Sequence, residues 1–274
     1  MTTYRLVAVD LDGTVLPNEG VISDRVKAAV RRAQDAGIVV TVASGRIFPQ
    51  TLRFATQLGA AAAPLICYQG ALIKDPVSGV VLYEQRLSRE VMREAILYAR
   101  RRDLHLNVYT DDDTYMERSG AAARVYNAIS RYGHTPVPDL MQVLDRQPTK
   151  CIFVSETREA ATALLAELKT EFAGRMQVVR SHELLIEGTP AGATKGTALA
   201  RLAAHLGVAQ SETAAIGDND NDVDMLAWAG LGLAMGNSTP AARAAARVVL
   251  PSIREDGAAY GIEHYLLNGT VRDA

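Results

Sequence analysis

Short apolar runs alternate with longer stretches of helical periodicity at the start of the chain. Each run is too short for a helix and is flanked by polar residues, which predicts a strand buried on both faces of a sheet. The stretches between them repeat apolar residues at helical spacing and are followed by Gly37 and Gly59, which favour helix ends. Strands are predicted at 6–9, 38–42 and 65–68, with helices at 24–36 and 48–58. This β-α-β-α-β order predicts a parallel sheet with right-handed crossovers.

The middle of the chain follows a different pattern. Apolar residues at 71–73 and 80–83 flank turn-forming residues at 75–79, which predicts a hairpin. Beyond it, strands with alternating faces mix with amphipathic helices, as in an α+β domain whose sheet is covered by helices on one face. Helices are predicted at 89–102, 121–131 and 157–172, strands at 104–109, 151–154, 177–180 and 184–187, and a solvated acidic turn at 111–113. We therefore predict a separate domain at 84–190.

Alternation of single strands and helices resumes at Lys195 and continues to the end of the chain. Strands are predicted at 213–216, 231–235 and 248–250, and helices at 195–206, between 218 and 229, at 241–246 and around Ile262. The fold class is therefore α/β. We expect one doubly wound, Rossmann-like parallel-sheet core, formed by 1–83 and 191–274 and interrupted by the inserted domain.

Composition excludes several classes of protein. Of the 274 residues, 48% are hydrophobic and 22% are charged, which is ordinary for a globular protein. The formal net charge of −2 argues against a nucleic-acid partner. No apolar stretch approaches the length of about 20 residues that spans a bilayer. Cys67 and Cys151 lie inside apolar runs, which predicts buried reduced thiols. We expect a cytoplasmic protein without a membrane partner, present as a monomer or small homo-oligomer.

Two carboxylates follow the first predicted strand at once. Asp10 and Asp12 are separated by one residue, and the chain turns at Gly13. In open parallel sheets, ligands bind at the carboxyl ends of the strands. Two acids crowded there repel each other, so that a cation or a shared proton is needed. An Asp-x-Asp-Gly segment also caps an ordinary turn well, and this segment alone leaves both interpretations open.

Three further polar segments fall at corresponding places in the predicted core. Taken singly, Ser44 is a plain helix N-cap and Lys195 a surface lysine. Taken together with Asp10 and Asp12, the segments supply carboxylates for a cation, a nucleophile, donors for phosphate oxygens and a positive charge, which phosphoryl transfer requires. The three segments are Ser44-Gly45-Arg46, Lys195-Gly196 and Gly217-Asp218-Asn219-Asp220-Asn221-Asp222.

This combination resembles the haloacid dehalogenase superfamily, and within it the Cof-type phosphatases. The motif Asp10-Leu11-Asp12-Gly13-Thr14 is similar to the family's first motif, and 217–226 together with 234–237 to its last. The inserted domain corresponds in layout to the cap of that subfamily. One residue departs from the pattern, because Gln69 precedes Gly70 where relatives often carry Asn.

The resemblance implies a role for each residue. Asp10 attacks phosphorus and forms an aspartyl-phosphate, Asp12 protonates the leaving oxygen and later activates water, and Lys195 neutralises charge. Magnesium is held by Asp10, by the backbone carbonyl of Asp12 and by Asp218. Asp222 orients Lys195 or a metal-bound water. The residues expected to bind phosphate or substrate are Thr14, Ser44, Gly45, Arg46, Asn221 and, from the cap, Glu187.

The predicted function is a Mg²⁺-dependent phosphomonoester hydrolase acting on a small phosphorylated metabolite such as a sugar phosphate. A phosphomutase or phosphotransferase of the same superfamily is the enzymatic alternative. A non-catalytic phosphate-binding or receiver module is the alternative of another class.

Overall fold

The computed structural model describes residues 4–17, 20–110, 113–130 and 133–268. Its chain divides into two compact units: residues 85–193 form the inserted unit, and the segments before and after them form the core unit. The prediction of a domain at 84–190 stays a prediction, and the limits of the inserted unit differ from it by a few residues. Asp111 and Asp112 of the predicted acidic turn, and Arg131 of a predicted helix, lie outside the described residues.

The described residues of the first segment of the core unit form five strands and two α-helices. They are β1 (Leu6–Val9), α1 (Asp24–Asp35), β2 (Val39–Val42), α2 (Phe48–Leu58), β3 (Leu65–Cys67), β4 (Leu72–Lys74) and β5 (Val81–Glu84). Helix α1 begins after Ser23, whose hydroxyl oxygen accepts a hydrogen bond from the Val26 N–H, as its N-cap pattern predicts. The hairpin of β4 and β5 is confirmed by their antiparallel pairing.

The third strand differs from its prediction. β3 pairs antiparallel with β4, and it meets the chain beyond β2 only through an isolated parallel bridge between Ala43 and Ile66. It ends early because the backbone φ angles of Tyr68 and Gln69 are positive, which no strand tolerates. The three-stranded sheet β3-β4-β5 is therefore separate from the parallel sheet.

Among its described residues, the inserted unit has one six-stranded sheet, three α-helices and a 3₁₀ helix at Leu140–Arg146. Its elements are α3 (Arg89–Arg101), β6 (His105–Thr110), β7 (Asp113–Met116), α4 (Ala121–Ser130), β8 (Thr135–Pro136), β9 (Lys150–Val154), α5 (Arg158–Glu171), β10 (Met176–His182) and β11 (Leu185–Pro190). The strand order is β10-β11-β9-β6-β7-β8. Met92 of α3 and Leu168 of α5 pack with Val108 and Phe153 of the sheet in a core in which all four are fully buried. This unit therefore has its own hydrophobic core.

The returning segment completes the core unit. Its elements are α6 (Lys195–His205), β12 (Thr213–Gly217), α7 (Val223–Trp228), β13 (Leu231–Ala234), α8 (Pro240–Ala245), β14 (Val248–Val249) and α9 (Gly257–Gly261). The last predicted helix is α9 followed by a π-helical turn at Ile262–Leu267. The helix predicted directly after β12 begins only at Val223, because a 3₁₀ turn at Asp220–Asp222 precedes it.

The core sheet brings distant segments to one edge. Its strand order is β14-β13-β12-β1-β2, and every neighbouring pair is parallel. All four residues of β1 are fully buried, as expected for a strand covered on both faces. Because parallel strands share a direction, β1, β2 and β12 all end at the same edge, and the residues that follow them become neighbours.

Both cysteines are buried free thiols, as the apolar runs around them predict. Burial raises the pKa of the Cys151 thiol to about 12. Within the part of the chain that the structure describes, no helix combines the length and the hydropathy needed to cross a bilayer.

Candidate active site

Asp10 lies directly after β1, at the edge where the parallel strands end. Its backbone N–H donates to the carbonyl of Ile216 at 3.0 Å, which continues the pairing of β1 with β12. The residue is only 5% exposed. Burial, followed by the negative charge of Asp222, raises the pKa of Asp10 well above its usual range. A buried carboxylate of this kind needs positive charge close to it.

Lys195 supplies one such charge from a segment 185 residues away in the chain. It is the first residue of α6, and its Nζ lies 2.6 Å from Oδ1 of Asp10 and 2.6 Å from Oδ1 of Asp222. Its side chain is fully buried, so the interpretation as a surface lysine is wrong. Burial by itself lowers the pKa of Lys195, but the two carboxylates outweigh it and the pKa is raised. The ammonium therefore stays charged between two acids.

Asp222 organises the loop after β12. Its Oδ2 accepts hydrogen bonds from the backbone N–H groups of Asp218 and Asn219 at 2.9 and 3.0 Å. Its Oδ1 accepts from Lys195, so both oxygens of this fully buried carboxylate are engaged by the protein. The contact with Lys195 is compatible with the orienting role that the resemblance implies, and that role stays a prediction.

Asp218 is held in place by the first motif. The Thr14 hydroxyl donates to Oδ1 of Asp218 at 2.9 Å. Gly13 has a φ of +87°, and a Cβ on it would lie 2.3 Å from Oδ2 of Asp218, so only glycine fits here. Burial, followed by the charge of Asp222, raises the pKa of Asp218 to about 7. Thr14, predicted to bind phosphate or substrate, is here a donor to a carboxylate.

Three carboxylates of the site suit a metal ion. Asp10, Asp218 and Asp222 each offer one oxygen, and these oxygens lie within 4.8 Å of one another. Lys195 is a single positive charge among three acids, and burial together with mutual repulsion raises the pKa of both Asp10 and Asp218. A hard divalent cation with oxygen ligands fits this donor set. Since Asp222 already accepts three protein hydrogen bonds, Asp10 and Asp218 are the carboxylates best able to bind it.

Asp12 differs from Asp10 in its surroundings. Its side chain is 52% exposed, and the Arg46 guanidinium contacts both of its oxygens, Nε to Oδ2 at 2.8 Å and Nη2 to Oδ1 at 2.7 Å. Arg46, predicted to bind phosphate or substrate, is thus engaged with a carboxylate of the site. The bidentate pair fixes the orientation of Asp12.

The Ser44-Gly45-Arg46 segment lies before a helix rather than at its start. Helix α2 begins at Phe48, after Ile47, and Pro49 in its first turn favours this start. The interpretation of Ser44 as a helix N-cap is therefore wrong, whereas the helix predicted at 48–58 is confirmed. Ser44 is 1% exposed, and its hydroxyl oxygen accepts from the backbone N–H of Arg46 at 3.2 Å.

Two residues outside the predicted set support these loops. The side chain of Asn237 donates to the carbonyl of Gly13 at 2.8 Å and accepts from the N–H of Ile253 at 2.9 Å, so it ties the first motif to the last. The side chain of Gln69 accepts from Asn221 at 3.0 Å. Both residues stand out in the sequence, Gln69 as the departure from the family pattern and Asn237 as part of the motif at 234–237. The sequence assigns neither of them a role.

Glu187 lies in the inserted unit, on β11. Its Oε2 is 3.1 Å from Nζ of Lys150, and both side chains are almost completely buried. The structure therefore gives Glu187 a partner within its own unit. Its predicted contact with substrate stays a prediction.

Comparison with known proteins agrees with the fold and the geometry. The family model for haloacid dehalogenase-like hydrolases matches residues 7–262. The chain belongs to this family. The family resemblance inferred from the motifs is thereby confirmed, as is the prediction of a hydrolase.

This haloacid dehalogenase-like hydrolase has relatives that are named as phosphatases. It is 29% identical over 287 residues to the 5-amino-6-(5-phospho-D-ribitylamino)uracil phosphatase YwtE of Bacillus subtilis, covering 96% of this chain and 98% of the relative. It is 32% identical over 237 residues to the HMP-PP phosphatase of Cronobacter sakazakii, covering 86% and 85%. The crystal structure of a haloacid dehalogenase-like hydrolase from Bacteroides thetaiotaomicron matches with a TM-score of 0.84 and 28% identity, over 95% of this chain and 99% of that one.

Proposed function

We propose that this hydrolase is a Mg²⁺-dependent phosphomonoesterase that acts on a small phosphorylated metabolite, such as a sugar phosphate, through an aspartyl-phosphate on Asp10. The observation that carries the proposal is the buried Asp10 carboxylate, with Lys195 at 2.6 Å and two further acids within 4.8 Å. Two relatives are named for phosphorylated metabolites, which favours a substrate of that class.

The first step is attack by Asp10. A carboxylate oxygen of Asp10 forms a bond to phosphorus while the bond from phosphorus to the leaving oxygen breaks. Asp12 gives that oxygen its proton. When bound to Asp10, Asp218 and the backbone carbonyl of Asp12, Mg²⁺ supplies positive charge that offsets the charge of the phosphoryl oxygens. Lys195 prevents repulsion between Asp10 and Asp222 as phosphate arrives, because it contacts both.

The second step is hydrolysis of the acyl phosphate. Water attacks phosphorus, the bond to Asp10 breaks, and Asp12 takes the proton from the water. Arg46 holds Asp12 by both oxygens in the structure, so one of these hydrogen bonds opens whenever Asp12 carries a proton on that oxygen. Arg46 thus positions Asp12 between transfers.

The phosphoryl oxygens bind to the loops around Asp10. Ser44, the N–H of Gly45 and the side chain of Asn221 are the proposed donors. Thr14 acts indirectly, through its hydrogen bond to Asp218. Glu187 of the inserted unit is proposed as a substrate contact on the family resemblance alone.

The test compares the wild type with Asp10→Asn on a panel of phosphorylated metabolites and p-nitrophenyl phosphate, with Mg²⁺ and with EDTA. The variant keeps the shape of Asp10 and loses the nucleophile, so we expect a folded protein with at least about 10³-fold lower kcat. EDTA should abolish the phosphatase activity of the wild type. Asp220→Asn is the matched control, because Asp220 is an exposed acid in the same loop as Asp218.

Two results would contradict the proposal: substantial turnover by folded Asp10→Asn, or wild-type turnover that is unaffected by EDTA. Hydrolysis in ¹⁸O-labelled water separates the alternatives. A phosphatase releases phosphate that contains solvent oxygen, a phosphotransferase passes the group to a second hydroxyl, and a receiver module retains it on Asp10.

A further inference from the structure

The loop after β3 is bound to the Ser44-Gly45-Arg46 segment in an unusual conformation. Tyr68, Gln69 and Gly70 have φ angles of +52°, +59° and +100°, and the first two lack the freedom of glycine. The N–H of Tyr68 donates to the Arg46 carbonyl at 3.0 Å, and that of Gln69 to the Ser44 carbonyl at 3.1 Å. Backbone strain of this kind persists where surrounding contacts hold it, and it occurs often at functional sites.

This conformation turns the side chain of Gln69 over Gly45. Its Nε2 lies 2.2 Å from the position that a Cβ on Gly45 would occupy, so a side chain at position 45 would displace the amide. Gln69 is only 3% exposed. Its Oε1 accepts a hydrogen bond from Nδ2 of Asn221 at 3.0 Å, which joins the loop after β3 to the loop after β12.

The pair of amides leaves two buried polar groups unsatisfied. Nε2 of Gln69 and Oδ1 of Asn221 are buried and have no hydrogen-bond partner among the described residues. Exchanging oxygen and nitrogen in both amides would place the unsatisfied N–H₂ group on Asn221 and the unsatisfied carbonyl on Gln69, and we adopt the orientation in which Asn221 donates to Gln69. A buried donor without an acceptor is costly, so each such group in a native site calls for a partner, and a bound ligand is one.

We infer that Gln69 is a substrate-binding residue, whose amide N–H₂ donates to the phosphoryl oxygen that also accepts from the N–H of Gly45. The inference rests on the proposed function, since it needs a phosphoryl group beside Gly45. The chemistry suits the position: a neutral amide adds a donor without adding charge next to the Asp10–Lys195 pair. Asn221 holds the other end of the amide through one N–H of its Nδ2, and the second N–H of Nδ2 is the one proposed above to donate to phosphate.

The experiment measures binding of inorganic phosphate by isothermal titration in the presence of Mg²⁺. Gln69→Glu keeps the oxygen that accepts from Asn221 and removes the N–H₂ group. Gln69→Met keeps the approximate shape and removes both polar atoms. Hydrogen bonds to charged groups are strong enough that losing one should weaken phosphate binding about 10- to 100-fold in both variants. Gln57→Glu, on the exposed face of α2, is the control for added charge and should bind like the wild type.

The outcomes separate binding from mere packing. If Gln69 only holds Asn221 in place, Gln69→Glu should bind phosphate normally. If added negative charge is the only cause of weaker binding, Gln69→Met should bind phosphate normally. Either result overturns the inference. If thermal melting shows that one variant is unfolded, the other decides. Titration needs no turnover, so a wild type that binds phosphate but hydrolyses nothing refutes the proposed function and leaves the test of Gln69 intact.

Discussion

The Thr14 hydroxyl donates a hydrogen bond to the acidic cluster, the group formed by Asp10, Asp218 and Asp222. It donates to Oδ1 of Asp218 at 2.9 Å, and this hydrogen bond lowers the pKa of that carboxyl. Burial has the opposite and larger effect, so the pKa of Asp218 is raised overall. Groups that orient a metal ligand typically change metal affinity 10- to 100-fold when they are removed. Threonine and valine have nearly the same shape, so the hydroxyl can be removed without changing the packing.

For Thr14→Val we therefore expect about a tenfold higher Mg²⁺ concentration for half-maximal activity, with a smaller effect on kcat at saturating Mg²⁺. The measurement is a Mg²⁺ titration of phosphatase activity. Thr51→Val is the control, because the Thr51 hydroxyl is buried but donates to the backbone carbonyls of Arg46 and Ile47 and not to a carboxylate. Equal Mg²⁺ dependence in all three proteins would argue that Thr14 does not act through the metal.

Arg46 allows a second prediction at this scale, because its effect on Asp12 depends on geometry as well as on charge. A lysine keeps the charge but cannot contact both carboxylate oxygens in the same plane. For Arg46→Lys we expect about a tenfold lower kcat, since Asp12 loses its fixed orientation. Steady-state kinetics provide the measurement, and Arg53→Lys, at an exposed position of α2, is the control. Unchanged kcat in Arg46→Lys would show that charge alone suffices.

At the scale of the element, the start of α6 determines where Lys195 lies. Thr194 and Thr197 form a capping box: each side chain accepts a hydrogen bond from the other residue's backbone N–H, both at 3.1 Å. Because the box fixes the first turn of α6, it also fixes the residue whose Nζ contacts Asp10 and Asp222. The cap of α6 thus positions a residue of the proposed active site.

Replacing an N-cap threonine by alanine costs about 1 kcal/mol in free energy of unfolding. We expect Thr194→Ala to lower both stability and kcat, since Lys195 shifts with the first turn. Thr157→Ala removes the equivalent cap of α5 in the inserted unit, where the Thr157 hydroxyl oxygen accepts from the N–H of Ala160, and should lower stability alone. Denaturant unfolding and kinetics measure the two effects. A similar kcat in both variants would mean that the cap does not position Lys195.

For the molecule as a whole, the acidic cluster connects stability to pH and to metal. Burial and Asp222 raise the pKa of Asp218 to about 7, whereas an aspartate in the unfolded chain titrates near 4. A carboxyl with a raised folded-state pKa stabilises the fold while it is protonated, so its contribution is complete below about pH 4 and is lost as the pH rises through about 7.

We therefore expect the Tm of the metal-free protein to fall between about pH 5 and about pH 7.5, and excess Mg²⁺ to raise Tm more at the higher pH. Calorimetry with and without EDTA provides the measurement. Asp218→Asn is the matched variant and should reduce both effects. An equal Mg²⁺-induced rise in Tm at the two pH values would contradict the linkage of the cluster to the metal.

The inserted unit supports a further prediction at this scale, because its core residues all lie within 85–193. A fragment of about 100 residues with its own core is large enough to fold alone. We expect residues 85–193, expressed separately, to unfold in one cooperative transition. Circular dichroism during thermal melting is the measurement, and a broad non-cooperative melt would contradict the predicted domain.

Most elements were predictable because their signals are local. The apolar runs of β1, β2 and β12 favour buried strands by their composition alone. The N-cap of α1 accepts a hydrogen bond from an N–H in the first turn of the same helix. The exceptions also have local causes that the pattern does not reveal. β3 ends at two residues with positive φ, and α7 begins only at Val223, after a 3₁₀ turn.

The sequence by itself determined the order of the strands and helices and which polar residues follow the strands. Hydrophobic periodicity, caps and turns are properties of short segments, and the parallel sheet then collects the strand ends at one edge. Only the tertiary structure decided which side chains contact each other there: Lys195 with Asp10, Arg46 with Asp12, Thr14 with Asp218. The physical reason is that hydrogen bonds and ion pairs depend on distances of a few ångströms between residues far apart in the chain, and no local pattern encodes those distances.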